Sequence, residues 1–317
     1  MRMVSFLSFF SSFVFLNFVS VGGQEPSKKG PGPRLLAIYL TEFGHAPIGG
    51  KPLSRPQGLS IDIDGNLYLA DTGNNRVLKI NQDGKLVRQV GGFGWGKEQF
   101  DNPVDVWAEN GLDVLVVDYN NRRIERYDKD LHYISSLYND ETAPATAQFA
   151  FPVAVALSGH GEILLADVEF QRIVRINSFG KVLGSFGDYD AGDGALSSPM
   201  KILISPRDDV FIADSARGSI LKFDYFGNFI THLGDGALRS PTGLALWEDV
   251  LLVADGGAHQ VVGFARDGER LGAWGEAGEK MGRFSSSLCV KVFRNRAFVL
   301  DGGNNRVQVF ELKMVDH

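Results

Sequence analysis

The chain contains 317 residues, of which 38 are glycine, 12 are proline and one is cysteine; 44% are hydrophobic, and the net charge is −6. Glycine and proline together account for 50 residues, about 16%, which is below the roughly 25–30% typical of low-complexity or disordered chains. The single cysteine excludes an intrachain disulfide and a cysteine-based zinc finger, and the acidic balance disfavours a nucleic-acid binder. We therefore expect a packed fold with many turns.

Residues 1–23 have the pattern of an export signal, in which Arg2 precedes an apolar run and then small residues. The run, VSFLSFFSSFVFLNFV, is interrupted by serine and asparagine, and it is shorter than the roughly 20 apolar residues of a membrane helix. We expect cleavage, which gives a secreted or periplasmic protein without a membrane span; an uncleaved anchor is the alternative. Residues 24–33 (QEPSKKGPGP) are predicted to form a flexible tether.

From residue 34 onward, a unit of about 45 residues recurs six times. Each copy contains three apolar residues followed by an aspartate, and these aspartates are Asp71, Asp118, Asp167, Asp214, Asp255 and Asp301. In five copies a proline precedes the aspartate by 14 or 15 residues, and in the sixth Ser285 is aligned with that proline. Alternating apolar and polar residues between glycine- and aspartate-containing turns predict four strands per unit. Six such units predict an all-β, six-bladed β-propeller.

The sixth unit stops after its third strand, and the missing fourth strand is found at the other end of the repeat region. Residues 34–44 (RLLAIYLTEFG) match the pattern of a fourth strand. We predict that this N-terminal strand completes the last blade and closes the ring, which removes two unpaired edges. The propeller then spans residues 34–317 as one domain.

The first unit reads PQGLSIDIDGNLYLADTGNNRVLKINQDG and resembles the NHL repeat, so that residues 34–317 resemble an NHL-type six-bladed propeller. A more distant resemblance is to the propeller of peptidyl-hydroxyglycine amidating lyases, which places a zinc-binding histidine directly after the proline in three blades. In this chain those positions hold Gln57, Val104, Val153, Met200, Thr242 and, in the sixth unit, Ser286. A catalytic zinc needs three protein ligands, so the lyase activity that this resemblance implies is not expected.

Residues that recur in every unit are predicted to be structural. The six aspartates are expected to accept backbone N–H bonds where the second strand turns into the third. An arginine follows five residues later in four units and is expected to form ion pairs within or between blades; these are Arg76, Arg123, Arg172 and Arg306. Ser219 and Gln260 replace it in units four and five.

Positions that do not repeat are the candidates for ligand contact. The innermost strands begin near the mouth of the central channel, where the polar candidates are Gln57, Asp105, Lys201 and Thr242. Asp105 and Lys201 belong to units two and four, so the sequence does not require them to meet. Cys289 lies within an apolar strand and is expected to be a buried thiol.

The connections between fourth and first strands contain several aromatic residues. Trp95 and Tyr189 are the candidates for an exposed rim that binds a protein or peptide. The alternative is that the aromatic side chains, such as Phe100 and Phe149, fill gaps between blades. Both interpretations remain open on the sequence alone.

The loop at residues 188–194 (DYDAGDG) is rich in carboxylates and glycine. Asp188, Asp190 and Asp193 are weak candidates for calcium ligands, because the loop lacks the spacing and the closing glutamate of an EF-hand. A solvated loop is the alternative. No other cofactor is expected.

The sequence favours an exported, non-catalytic propeller that acts as a monomeric scaffold for a protein, a peptide or a small ligand. The alternative is a propeller lyase or hydrolase whose site lies at the channel mouth and uses residues such as Gln57, Asp105 and Lys201. Nucleic-acid binding conflicts with both the export signal and the negative charge.

Overall fold

The computed structural model describes residues 33–140, 142, 148–286 and 288–315. The predicted export signal (1–23) and nearly all of the predicted tether (24–33) lie outside these residues. Within the described residues the chain is all-β, with six four-stranded antiparallel sheets and no α-helix. The predicted six-bladed β-propeller is confirmed.

Each blade consists of four strands, which follow one another from the channel outward. Blades one to three consist of β2 (Gly58–Ile61), β3 (Leu67–Asp71), β4 (Arg76–Ile80) and β5 (Leu86–Gly91); β6 (Pro103–Trp107), β7 (Asp113–Asp118), β8 (Arg123–Asp128) and β9 (Tyr133–Tyr138); and β10 (Pro152–Leu157), β11 (Ile163–Asp167), β12 (Arg172–Ile176) and β13 (Val182–Phe186). Blades four and five consist of β14 (Pro199–Ile204), β15 (Val210–Asp214), β16 (Ser219–Phe223) and β17 (Phe229–Leu233); and β18 (Pro241–Trp247), β19 (Val250–Asp255), β20 (Gln260–Phe264) and β21 (Arg270–Trp274). Blade six consists of β22 (Leu288–Phe293), β23 (Arg296–Asp301), β24 (Arg306–Val315) and β1 (Arg34–Phe43). Within the described ranges, three short 3-10 turns lie at Thr72–Asn74, Gly192–Gly194 and Gly302–Asn304.

The N-terminal strand closes the ring. β1 pairs antiparallel with β24, from Arg34 opposite Val315 to Phe43 opposite Val307. The blade that holds the last repeat therefore receives its outer strand from the first residues of the propeller, as predicted. The structure thereby joins the two ends of the repeat array without a disulfide.

Apolar side chains fill the spaces between neighbouring blades. Leu59 and Leu69 of blade one, for example, lie in one cluster with Phe298 and Cys289 of blade six. Strand residues alternate between the two faces of a sheet, so each blade contributes apolar side chains to both of its neighbours. The predicted burial of Cys289 is confirmed, since 2% of its surface is exposed.

The repeated aspartates are fully buried and join two segments of the same blade. Asp71 accepts the N–H of Ser54 at 2.7 Å, and Asp118 accepts that of Asp101 at 2.8 Å. These donors belong to the connection that leads into the inner strand. In blades three, four and five the aspartate also accepts an N–H of the turn from second to third strand, as predicted. The N–H groups of that connection have no ladder partner, so a buried carboxylate satisfies them.

Three of the repeated arginines pair with the aspartate of their own blade. The Nε–Oδ2 distances are 2.7 Å for Arg76 and Asp71, 2.8 Å for Arg123 and Asp118, and 2.9 Å for Arg306 and Asp301. The same guanidinium groups donate to carbonyl oxygens of the connection before the inner strand. Each of these arginines therefore fixes the backbone of a connection on one face of the ring.

Candidate functional site

The two faces of the ring carry different segments. We call upper the face with the connections from an outer strand to the next inner strand, and lower the face with the hairpins between first and second and between third and fourth strands. The inner strands run from the upper to the lower face, so their first residues surround the upper mouth of the channel.

A cavity of about 460 Å³ occupies the upper mouth. Each blade contributes one residue near the start of its inner strand to the lining, and these residues are Gln57, Val104, Val153, Met200, Thr242 and Leu288. Four of the six are apolar. Thr242 is not free to bind a ligand through its proton, because its hydroxyl donates to the carbonyl oxygen of Leu288 at 2.7 Å. Gln57 is exposed, and its amide is available at the mouth.

The sequence alignment of the sixth unit was wrong by two residues. Leu288 lies opposite Asp301 and Cys289 opposite Leu300, so Leu288 and Cys289, rather than Ser286, line the mouth. Blade six lacks the proline that marks the start of the inner strand in the other blades. The small size of Cys289 is the signal that could have fixed the register, since the equivalent position holds Gly58, Ala154 and Gly243 in three other blades.

Asp105 and Lys201 meet, which the sequence left open. The Nζ of Lys201 lies 2.5 Å from Oδ1 of Asp105, and the other carboxylate oxygen accepts the N–H of Val155 at 3.2 Å. Both residues are buried, with 3% of Asp105 and 4% of Lys201 exposed. The pair thus spans the inner strand of blade three and connects blades two, three and four.

The neighbouring inner strands approach closely, which explains why only small residues accompany this pair. A Cβ on Gly58 would lie 2.7 Å from the Cα of Asp105, and one on Gly243 would lie 2.8 Å from the Cα of Cys289. Burial alone would lower the pKa of Lys201, but the nearby charge of Asp105 outweighs it and raises the pKa. Lys201 is therefore protonated and neutralised by Asp105, which makes it a poor general base or nucleophile.

A second lysine–carboxylate pair lies at the lower end of the channel. Nζ of Lys291 is 2.5 Å from Oε1 of Glu109, and both residues border a cavity of about 510 Å³ at the lower mouth. Glu109 remains about one-third exposed, whereas Asp105 is buried. The channel therefore contains one buried ion pair and one that water can reach.

The upper-face aromatic residues divide into two groups. Trp95 and Tyr189 are exposed, at 78% and 86%, and Phe93 is exposed beside Trp95 in the same connection. Phe100 and Phe149 are buried between blades. The structure therefore shows exposed aromatic residues and gap-filling ones in these connections, and binding of a partner by the exposed residues stays a prediction.

The buried side chain of Arg123 fixes the backbone of the connection that carries Trp95. Arg123 is 1% exposed; its Nη1 donates to the carbonyl oxygen of Trp95 at 3.0 Å, and its Nη2 donates to that of Gln99 at 2.6 Å. The backbone is fixed while the indole ring projects into solvent. A rigid aromatic side chain of this kind loses little conformational entropy on binding.

The calcium candidates do not form a ligand cluster. Among the described residues, no group of three histidine, cysteine, aspartate or glutamate side chains could hold a metal ion. Asp188 lies 4.0 Å from Nη1 of Arg172, a cation that competes for its carboxylate, and Arg217 donates to the backbone oxygen of Asp193. The described geometry gives these candidates no support, and calcium binding by the loop stays a prediction.

The comparisons with known proteins agree with the repeat pattern. The NHL repeat family matches residues 53–80, which include most of blade one. One hundred residues are 30% identical to NHL repeat-containing protein 3 of Homo sapiens, covering 30% of this chain and 29% of that protein. A segment of 128 residues is 30% identical to peptidyl-glycine alpha-amidating monooxygenase of Mus musculus, covering 37% of this chain and 13% of the enzyme. This chain therefore spans less than a third of the length of these relatives.

Among solved structures, the fold is similar to that of a streptogramin B lyase, with a TM-score of 0.59 and 14% identity over 89% of this chain and 88% of the other. At this identity the similarity shows the fold alone. The resemblance to NHL-type propellers and, more distantly, to the amidating propeller is confirmed. In the part of the chain that the structure describes, no helix is long and apolar enough to cross a membrane.

Proposed function

We propose that this NHL-type six-bladed propeller is an exported scaffold that binds a protein or peptide partner through its upper face and does not catalyse a reaction. The observation that supports this most directly is the exposure of Trp95 on a connection that Arg123 fixes. Tryptophan is among the residues most enriched at the energetic centres of protein interfaces. A solvent-exposed tryptophan on a rigid backbone has no function in the packing of the ring.

The mouth cavity adds a second element to the proposed interface. Its apolar lining by Val104, Val153, Met200 and Leu288 suits an apolar side chain of the partner, and Gln57 offers a hydrogen bond at the edge. Interfaces typically combine an apolar centre with a polar rim. A partner that contacts Trp95 and inserts one side chain into the cavity would use both.

The absence of catalysis is part of the proposal and is supported by the pairing of Asp105 with Lys201. Groups that serve as general acid and base normally face the substrate and have a pKa near the working pH. Here the two charges are buried and neutralise one another. The mouth positions Gln57, Val104, Val153, Met200, Thr242 and Leu288 also include no histidine for the zinc of the amidating family.

The experiment is an affinity capture from the native medium or envelope, followed by titration of the captured partner against purified variants. Trp95→Ala and Tyr189→Ala are expected to lower the affinity. Phe226→Ala is the matched control, because Phe226 is 74% exposed but lies in a lower-face hairpin. Equal affinity of Trp95→Ala and the wild type would refute the proposal.

A further inference from the structure

The outer strand of each blade contains a β-bulge at an equivalent position. One residue there has no opposite residue on the third strand: Val87, Ile134, Leu183, Ile230, Leu271 and Leu40. Bulges twist an edge strand and hinder its pairing with another chain. In blades one to five the outer strand begins only one residue before the bulge, and only three or four paired residues follow it.

Blade six differs because its outer strand continues. β1 contains six residues, 34–39, before the bulge at Leu40, and they keep an unbroken antiparallel register with residues 310–315. Among the described strands, β24 is the only neighbour of β1. In an antiparallel strand, alternate residues direct their backbone N–H and C=O groups to the opposite edge. Residues 34–39 therefore present a regular edge of six residues, longer than the three or four unbroken residues of the other five blades.

The side chains along this edge are apolar on the solvent side. Leu35 and Tyr39 face the cluster shared with blade five, whereas Leu36 and Ile38 on the other side are 40% and 44% exposed. Proteins commonly protect a free edge with charged side chains such as lysine. The only charged residue of this stretch is Arg34, which is exposed and forms no hydrogen bond or ion pair with the described residues.

We propose that residues 34–39 accept an extended peptide as a fifth strand of blade six. Backbone pairing gives affinity in this mode, and alternate side chains give specificity. The peptide should carry β-branched or aliphatic residues beside Leu36 and Ile38, and a carboxylate at the end that lies beside Arg34.

A short peptide fits this edge better than a second copy of the chain. Six residues span about 20 Å, so two propellers paired through this edge alone would bury far less than the roughly 800 Å² per partner of a stable interface. The site lies on the outer rim of blade six, so it is independent of the proposed upper-face interface and can be tested separately.

The test uses a fluorescein-labelled peptide of alternating valine and threonine that ends in aspartate, titrated with the full chain and followed by fluorescence anisotropy. We expect saturable binding, slower amide hydrogen exchange in residues 34–39, and an affinity at least about tenfold lower for Ile38→Lys. Ile230→Lys is the matched control, because Ile230 is 49% exposed in the outer strand of blade four, and it should bind as the wild type does. A peptide that is N-methylated at alternate residues should not bind, since it cannot donate to the edge.

Several results would overturn the proposal. The first is that the peptide does not bind at about 1 mM. The second is that Ile38→Lys binds the peptide as tightly as the wild type while its thermal midpoint is unchanged. The third is that the N-methylated peptide binds as tightly as the unmodified one. A concentration-dependent dimer that Ile38→Lys abolishes and the peptide does not inhibit would assign the edge to a second copy. Arg34→Gln should weaken the aspartate-ended peptide and leave an asparagine-ended one unchanged; equal loss for both would remove the role of Arg34.

Discussion

The channel pair Asp105–Lys201 and the exposed connection of Trp95 differ in what surrounds them, although both consist of residue types common at functional sites. The charged pair is buried and its two members neutralise each other, while Trp95 contacts solvent and its backbone is fixed by Arg123. The first arrangement uses reactive side chains to connect blades. The second holds a side chain rigid without burying it. Residue type alone therefore does not separate stability from binding, whereas burial and partners do.

The largest expected effect is on stability and comes from breaking the channel pair. Lys201→Met leaves the Asp105 carboxylate buried without its counter-charge, which should lower the free energy of unfolding by about 3–5 kcal/mol. Asp105→Asn combined with Lys201→Met should recover most of the loss, because no unpaired charge remains. Urea denaturation measures both variants.

Lys291→Met is the control for that comparison. Glu109 is already partly solvated, so losing its partner should cost no more than about 1 kcal/mol. Similar losses for Lys201→Met and Lys291→Met would contradict the conclusion that burial distinguishes the two channel pairs.

The next effect should appear in both stability and binding. Arg123→Met removes the donors that hold the Trp95 connection and leaves Asp118 and Glu125 without their ion-pair partner. Both carboxylates keep other side-chain donors, so the free energy of unfolding should fall by about 2–3 kcal/mol. The affinity for the partner should fall as well, since Trp95 loses its fixed backbone.

Arg76→Met changes the equivalent arginine of blade one, which forms the same ion pair with Asp71. It should also lower the free energy of unfolding, measured by urea denaturation, but by less than Arg123→Met, which breaks a second ion pair with Glu125. Its partner affinity should stay close to that of the wild type. If both variants lost affinity equally, the effect of Arg123 would be one of general stability and not of Trp95 placement.

The smallest effect is expected at a partly exposed ion pair near the lower face of blade three. Nη2 of Arg175 lies 2.7 Å from Oε2 of Glu162. Burial raises the pKa of Glu162, but hydrogen bonds from Arg175 and Tyr225 outweigh this and lower the pKa below its ordinary value of 4.5. Stability from this contact is therefore present above about pH 4.5 and is lost as the pH falls through the lower, folded-state pKa.

Glu162→Gln should reduce the free energy of unfolding by less than about 1 kcal/mol at pH 7, because the pair is partly solvated. The difference from the wild type should shrink toward zero as the pH falls below 4, measured by urea denaturation across that range. A difference that grew on acidification would have the wrong sign for this assignment.

The fold could be predicted because the same four-strand pattern recurs in six units of the sequence. The aspartates, the prolines and the alternation of apolar residues mark the strands of every blade, and residues 34–44 match the missing strand of the sixth. The register of blade six could not be fixed at the same precision, because that unit lacks the proline and Ser285 was aligned in its place. Leu288 and Cys289 at the mouth were missed for this reason.

The candidate site was harder to predict because it depends on contacts between distant residues. Asp105 and Lys201 are 96 positions apart, and only the close approach of the inner strands brings them together. The sequence named Trp95 as a candidate for exposure, but it left open whether the aromatic residues of the upper-face connections form a rim or fill gaps between blades. The structure separates them by burial.

The most direct test of binding through Trp95 compares the affinity of the captured partner for two variants, measured by isothermal titration calorimetry. One is Trp95→Ala. The other combines Asp105→Asn with Lys201→Met. Trp95→Ala is expected to fold with wild-type stability and to lose at least about 2 kcal/mol of binding free energy. The double variant should retain the wild-type affinity. Retained affinity in Trp95→Ala together with lost affinity in a folded double variant would contradict the account and locate the function at the channel pair.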